Sequence, residues 1–296
     1  MKARYLILPL VFLAACQQIE TPAPSQKPSG SETAWTLTVP ATKDAATTKA
    51  LDLVNDGNTL NAYWKNTETV KVYKDGTLIG TLAVAPASGE KPLTATLSGT
   101  FDNVSGLAVG NSLTLIIPRE SWDYTGQVGT LASIETNYDY AIASVTIATV
   151  DEVNRTITTN NANFANQQSI YRFGFKVGED YVTPSDFTIS TQNGKLVSVR
   201  TLSGSEWTST LGSVNVVPTS NPSDFFYYVA LRNESTAADK YYFQLHVSNS
   251  GALYTATKDI PASVLDVPGK FISAKSISIT QPSFAPIDGG TTTTAL

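Results

Sequence analysis

Short segments in which apolar and polar residues alternate are the most constraining feature of this sequence. A period of two is typical of a strand with one buried face, because successive side chains of a strand point to opposite sides. The segments include 35–39, 69–73, 94–98, Ser112–Ile117, 171–177, 187–190, 196–200, 226–231, 241–247 and 272–279. Helical spacing is nearly absent from residue 35 onward, with at most single turns at 185–187 and Ala262–Leu265. The sequence therefore predicts an all-β fold.

Turn-forming residues separate these segments. Asp75-Gly76 and Asn193-Gly194 each follow one apolar stretch and precede another, which predicts a β-hairpin at both places. Residues 151–169 form the least apolar long segment of the interior, and we place a domain boundary at its start. The chain is then expected to contain two β-sandwich domains, 35–150 and 151–287, each of an ordinary domain size, followed by a polar tail at 288–296.

The supply of reactive side chains limits the chemistry open to this chain. Its 296 residues include one His and one Cys, which excludes most zinc sites, Cys–His pairs and Ser–His–Asp triads. A formal net charge of −5 provides no basic surface for a nucleic acid. The sequence contains neither a G-x-S-x-G elbow nor a glycine-rich phosphate loop. We therefore expect no enzyme, no catalytic residue, no metal site, no cofactor and no nucleic-acid partner.

The first residues have the organisation of a secretory signal. Two basic residues precede an apolar run at 5–13, which as a helix of about 14 Å is too short for a membrane core of about 30 Å. Leu-Ala-Ala-Cys at 13–16 then resembles the lipobox of bacterial lipoproteins. We expect 1–15 to be a lipoprotein signal peptide, Cys16 to carry lipid such as palmitate, and 16–34 to be a Pro/Ser-rich flexible spacer. The chain would then be anchored by lipid at the outer membrane and exposed at the cell surface; the alternative is an ordinary secretory signal with a chance cysteine.

Several stretches, in order along the chain, together resemble one family. They are WTLTVPATK at Trp35–Lys43, TTKAL at 47–51, LNAYW at 60–64, TVKVY at 69–73, YTGQVGTL at 124–131, DYAIA at 139–143, NQQSIYRF at 166–173 and PGKFI at 268–272. With the lipobox, they are similar to the fimbrillin-type (type V pilin-like) surface lipoproteins. This resemblance implies two tandem transthyretin-like (Ig-like) β-sandwich domains, no cofactor, and a pilus subunit or tip/anchor protein that acts in cell adhesion. Its partners would be other pilin subunits or a ligand on a host or bacterial surface.

The resemblance also implies a mode of assembly. In this family a protease cuts after a basic residue beyond the first strand, and a strand of the next subunit fills the groove that the lost strand leaves. Trp35, Leu37 and Val39 would form the inward face of the displaced strand. Lys49 and Ala50 stand where the cut would fall, although many relatives have Arg there, which leaves open an uncut anchor or tip subunit. The alternative for residues 35–39 is a permanent edge strand.

An aromatic-rich loop provides a candidate ligand site. Trp122 and Tyr124, with aromatic residues and carboxylates nearby, are suited to stacking on a sugar ring. The alternative is that these rings pack in the core and at its rim. A glycan site would fit a second possible function, that of a non-polymerising glycan-binding surface lipoprotein in a nutrient-uptake system.

Overall fold

The structure is a computed structural model of the chain, and it describes residues 34–43, 51–54, 59–102, 106–118, 120–248, 250–265, 268–273 and 276–282. Strands account for most of these residues, so the all-β prediction is confirmed. The strand at Ser112–Ile117 has the bounds that the alternation predicted. The short helix at Ala262–Leu265 also lies where a single turn was expected.

The strands and helices are labelled in chain order. The first strands are β1 (Trp35–Lys43), β2 (Leu51–Val54), β3 (Thr59–Ala62), β4 (Thr69–Lys74), β5 (Thr77–Pro86), β6 (Thr94–Phe101), β7 (Ser112–Ile117), β8 (Ser121–Asp123), β9 (Ala141–Asp151), β10 (Thr156–Thr159) and β11 (Ala162–Asn166). The next are β12 (Ser169–Phe173), β13 (Phe175–Val177), β14 (Asp180–Val182), β15 (Pro184–Thr191), β16 (Val197–Ser203), β17 (Glu206–Leu211), β18 (Val214–Val216), β19 (Tyr227–Leu231), β20 (Asp239–Val247), β21 (Leu253–Ile260), β22 (Phe271–Ser273) and β23 (Ile277–Ser278). Helix α1 (Leu131–Ser133) continues into a π-helical turn (Ile134–Tyr138), and α2 is Ala262–Leu265. Within the described ranges, neither these nor any other helix has the length and apolar character needed to cross a membrane.

The largest sheet closes on itself through β1. Its hydrogen-bonded order is β1–β6–β5–β4–β7–β9, and β9 then pairs with β10 and β11, which both pair with β1. We call this closed sheet the ring. Alternate side chains of its strands, such as Leu37, Leu97 and Leu113, form one hydrophobic cluster that fills the interior. A closed sheet has no free edge as long as every strand is in place.

The strands from β12 onward form smaller sheets with the orders β19–β12–β22, β14–β13–β23, β18–β15–β20–β21 and β17–β16–β8. Strand β8 comes from the first part of the chain, yet it pairs with β16. The buried side chains of these sheets form a second hydrophobic cluster. Tyr73 of β4 and Ile116 of β7 belong to this second cluster, whereas their neighbours Val72 and Leu115 belong to the first. The smaller sheets therefore pack against the outer face of the ring at β4 and β7.

The two predicted hairpins have different outcomes. At Asp75 and Gly76 the prediction is confirmed, because β4 and β5 pair and φ is 49° and 75° at the two residues, as a turn of type I′ requires. At Asn193 and Gly194 the hairpin prediction is wrong. The flanking strands β15 and β16 pair with other strands and not with each other. The two residues do form a turn, but turn residues alone do not determine which strands become partners.

The polar stretch 151–169 contains β10 and β11, so the ring extends to residue 166. Its polarity arises because these two strands alternate buried with half-buried or exposed residues. The described residues from 34 onward form one compact unit. The division into two domains at residue 151 stays a prediction.

Candidate functional site

Strand β1 is an interior strand of the ring, with paired neighbours along both sides. It runs antiparallel to β6, from Trp35 opposite Phe101 to Thr42 opposite Thr94. On its other side it runs parallel first to β10 and then to β11. The alternative that residues 35–39 form an edge strand is therefore wrong.

We call the space that β1 and its inward side chains fill, between β6 on one side and β10 with β11 on the other and including the part of the ring interior beneath β1, the β1 slot. Leu37, Val39 and Ala41 point into it, and none of them is more than 2% exposed. Trp35 is half-buried and packs against the same hydrophobic cluster at the beginning of the strand. Their role as side chains of a displaced strand stays a prediction.

Pro40 lies where the pairing of β1 passes from β10 to β11. Proline has no N–H to donate, and it is rare in the interior of a sheet. The register with β10 ends at Thr38 and the register with β11 begins at Ala41, so Pro40 faces neither strand. At this gap Asn160 turns to β9, where its Oδ1 accepts the Thr146 N–H at 2.7 Å. The interruption between β10 and β11 explains how an interior strand accommodates a proline.

Lys43 ends the inward row of β1, and its side chain has no exposed surface. Its Nζ donates to Glu68 Oε1 at 2.8 Å, to Glu68 Oε2 at 3.1 Å and to the Tyr63 carbonyl oxygen at 3.1 Å. The same atom lies 4.1 Å from the centre of the Trp64 ring. The Glu68 side chain is 2% exposed and also accepts the Lys65 N–H at 2.7 Å. We call Lys43, Tyr63, Trp64 and Glu68 the Lys43 cluster; it is a buried ion pair that joins the end of β1 to the wall of its slot.

Sequence reasoning missed this cluster. Lys43 occupies the inward position that follows Leu37, Val39 and Ala41, so a lysine in the apolar register was the signal that could have identified it. No comparable signal marked Glu68, which lies 25 residues further along the chain, before β4. A buried lysine needs an acidic partner, but its position in the sequence cannot be deduced from that need.

Three predicted site residues lie outside the described residues. They are Cys16 in the expected lipobox and Lys49 with Ala50 at the expected maturation site. The described part of β1 ends at Lys43, and the next described residue is Leu51 at the start of β2.

Trp122 and Tyr124 are both buried with no exposed surface. The Trp122 ring stacks on Trp207 at 3.9 Å and on Tyr140 at 5.4 Å between ring centres, and Tyr124 meets Tyr140 edge to face at 5.4 Å. Burial raises the pKa of the Tyr124 phenol well above its usual range, so the group stays neutral. Neither ring presents a face to a sugar, and the structure supports the packing alternative for both residues.

In the part of the chain that the structure describes, no three His, Cys, Asp or Glu side chains are arranged to hold a metal ion. His246 is half-exposed, and its Nδ1 lies 2.9 Å from Asp186 Oδ1.

Comparison with known proteins gives no match to a family model and no match among curated proteins. The solved structures that match this chain include a proposed cell adhesion protein from Bacteroides ovatus, with 12% identity and a TM-score of 0.41 over 83% of this chain and 95% of that one. A proposed cell adhesion protein from Bacteroides eggerthii has 10% identity and a TM-score of 0.39 over 82% and 86% of the two chains. The tip fimbrial protein Mfa3 from Porphyromonas gingivalis, truncated at its C-terminus, has 10% identity and a TM-score of 0.38 over 76% and 81%. The first two are thus proposed cell adhesion proteins and the third is a fimbrial protein.

Proposed function

We propose that this chain is a subunit of a cell-surface fibre, in its stalk, anchor or tip, that assembles by β-strand exchange at the β1 slot and acts in cell adhesion. Cys16 carries the lipid that holds the uncut chain at the outer membrane, and a protease then cuts between Lys49 and Ala50. The partners are other subunits and a ligand on a host or bacterial surface. In this proposal the two hydrophobic clusters are the cores of two tandem transthyretin-like β-sandwich domains.

The observation that carries this proposal is that a strand early in the chain completes a closed sheet. The paired partners of β1 lie far from it in sequence, at 94–101 and 156–164. A cut between β1 and β2 would therefore leave β1 held by lateral contacts alone. Its departure would expose the backbone N–H and C=O groups of β6, β10 and β11 along an apolar floor. Such an edge is the kind of site at which a strand from another chain adds to a sheet.

The same contacts explain why a cut strand is exchanged and not simply lost. Leu37 and Val39 are fully buried, and burial of each stabilises the strand by about 1.5–3 kcal/mol. Hydrogen bonding of β1 to β6 on one side and to β10 and β11 on the other stabilises the strand further. An incoming strand must therefore make comparable contacts before β1 leaves, and assembly should depend steeply on the concentration of subunits.

Limited proteolysis tests the proposal directly. Protein carrying Cys16→Ser, which prevents lipid attachment, is digested lightly with trypsin, the cut is located by mass spectrometry, and size is followed by chromatography. We expect a cut between Lys49 and Ala50 followed by growth of species larger than the monomer. The control Lys49→Gln should stay whole at this bond and monomeric. Cut protein that keeps β1 and remains monomeric at every concentration would contradict the proposal.

A reversible tether separates strand exchange from other routes to assembly. Thr38 of β1 stands opposite Ser98 of β6, so Thr38→Cys with Ser98→Cys places two cysteines across the pair, close enough for a disulfide. The oxidised protein should be cut but should not assemble, because β1 cannot leave. Reduction should restore assembly. Equal assembly of the oxidised and reduced forms would exclude β1 exchange as the mechanism.

The lipid anchor has a separate test. In cells that process lipoproteins, the wild-type chain should incorporate labelled fatty acid and remain with the membrane fraction. The Cys16→Ser chain should do neither. Membrane retention without Cys16 would show that another element anchors the chain.

A further inference from the structure

The Lys43 cluster makes the β1 slot chemically unequal along its length. The slot is apolar where Leu37, Val39 and Ala41 enter it, and it ends at the buried carboxylate of Glu68. We infer that the slot selects an incoming strand of another subunit that bears three alternating apolar side chains followed by a basic side chain in the register of Lys43. This inference rests on the proposed strand exchange and names the chemistry of the partner strand.

Glu68 belongs to the slot and not to the strand that fills it. Its carboxylate accepts the Lys65 N–H at 2.7 Å, and its own N–H donates to the Lys65 carbonyl oxygen at 3.2 Å. These bonds fix the turn without any contribution from β1. Trp64 is also held from outside β1, because its backbone N–H donates to the Pro92 carbonyl oxygen at 2.8 Å; its ring meets Phe164 of β11 edge to face at 5.4 Å. When β1 leaves, the carboxylate and the ring therefore remain in position for the next strand.

A buried carboxylate discriminates strongly between incoming strands. A strand with an apolar residue at this position would cover Glu68 and leave its charge without a cation, which is far less favourable than burying the pair. A strand with an acidic residue would add a second negative charge. Many apolar sequences fit the positions of Leu37, Val39 and Ala41. The position of Lys43 excludes most of these sequences because it requires a basic residue, and specificity therefore arises by exclusion.

The geometry favours lysine over arginine. Two oxygens of Glu68 and the Tyr63 carbonyl oxygen all lie within 3.1 Å of a single nitrogen, Nζ of Lys43. An ammonium has three donors on one atom, which suits this arrangement. A guanidinium is planar and carries its donors on separate atoms, so Arg should be accepted less well at the same position.

Peptide exchange on the cut protein tests the inference. The full chain with Cys16→Ser is prepared with a specific protease site in place of residues 44–50 and is then cut. Labelled peptides compete for the slot in a urea concentration below the unfolding transition, and capture is measured by chromatography. The peptides have the sequence of Trp35–Lys43, the same sequence with Lys43→Arg, the same with Lys43→Met, and one with Thr42→Lys and Lys43→Met, which keeps the charge but moves it to the outward face.

We expect the Lys43→Met peptide and the peptide with the displaced lysine to bind about 150- to 5,000-fold more weakly than the native peptide, as loss of one partner of a buried ion pair implies. The affinity of the Lys43→Arg peptide should lie between those of the native and the Lys43→Met peptides. Protein with Glu68→Gln, a nearly isosteric change in the slot wall, should lose most of this discrimination. The peptides are always compared on the same protein, so a difference in protein folding cannot produce the discrimination between them.

The outcomes separate the two levels of the proposal. Equal capture of the native and Lys43→Met peptides would overturn the selection of a basic residue and leave strand exchange intact. Capture of neither peptide, with β1 retained after the cut, would overturn the proposed exchange and this inference with it. Discrimination that persists in the Glu68→Gln protein would show that another group recognises the lysine.

Discussion

Replacement of Lys43 by methionine in the intact chain is the most direct test of the buried ion pair. Methionine keeps an unbranched apolar stem of similar length, so the change removes the ammonium and little else. The Lys43 side chain has no exposed surface and the Glu68 side chain is 2% exposed, so water cannot reach the carboxylate that is left behind. The variant buries an unpaired charge, and the free energy of unfolding should fall by about 3–5 kcal/mol.

The companion variants show where that energy originates. Glu68→Gln leaves the ammonium with a neutral acceptor and should also destabilise the protein. The double variant Lys43→Met with Glu68→Gln buries no charge, so its loss should be smaller than the sum of the two single losses by about 2 kcal/mol. A coupling of this size would show that the two side chains act as one unit.

The assay is urea unfolding of the Cys16→Ser chain and its variants, followed by circular dichroism and by tryptophan fluorescence. Unfolding midpoints are compared between variants that show the same dependence of the free energy of unfolding on urea concentration. A change in this slope would mean that the variant alters compactness as well as stability. A loss below about 1 kcal/mol for Lys43→Met, or additive losses in the double variant, would refute the argument that this pair is buried and coupled.

Three further predictions concern the packing around the ring and the second cluster. Trp122→Ala should lower the free energy of unfolding by about 3–5 kcal/mol because the ring is fully buried, and Trp122→Phe should lower it much less, as measured by urea unfolding. Gln127→Ala should lower the free energy of unfolding, measured in the same way, by about 1–3 kcal/mol for each group left unpaired. The Gln127 side chain accepts the Ala230 N–H at 2.8 Å and donates to the Ala230 carbonyl oxygen at 2.7 Å. Burial, followed by the charge of Glu120, raises the pKa of Tyr73 from 10.0 to about 12. The unfolded chain then loses this proton first, so the stabilisation is complete below pH 10 and is lost between about pH 10 and 12; Tyr73→Phe should remove that part of the pH dependence of unfolding.

Contrary results would be equally informative. Equal stability of Trp122→Ala and the wild type would mean that the ring is exposed in solution, which would revive the sugar-stacking hypothesis. An unchanged midpoint for Gln127→Ala would show that water reaches the Ala230 peptide groups. The same alkaline loss of stability in Tyr73→Phe would place the responsible proton on another group.

Local patterns were sufficient to locate most of the strands. The alternation at 69–73 became β4, which is one residue longer, and the alternation at 241–247 lies within β20. This success has a simple cause, since the period of two is a property of consecutive residues. The prediction of a helical turn at 185–187, in contrast, is wrong: the segment lies within β15, because pairing with β18 and β20 overrides a weak local preference.

The sequence by itself determined that the chain is all-β, which side chains of β1 face inward, and where the hairpin at Asp75 and Gly76 turns. Only the tertiary structure decided that β1 lies inside a closed ring, that Trp122 is buried, and that Lys43 meets Glu68. The reason is physical. The face on which a side chain lies follows from its immediate neighbours, whereas its strand partners and its compensating charges come from segments that are distant in the chain and become adjacent only when the sheet closes.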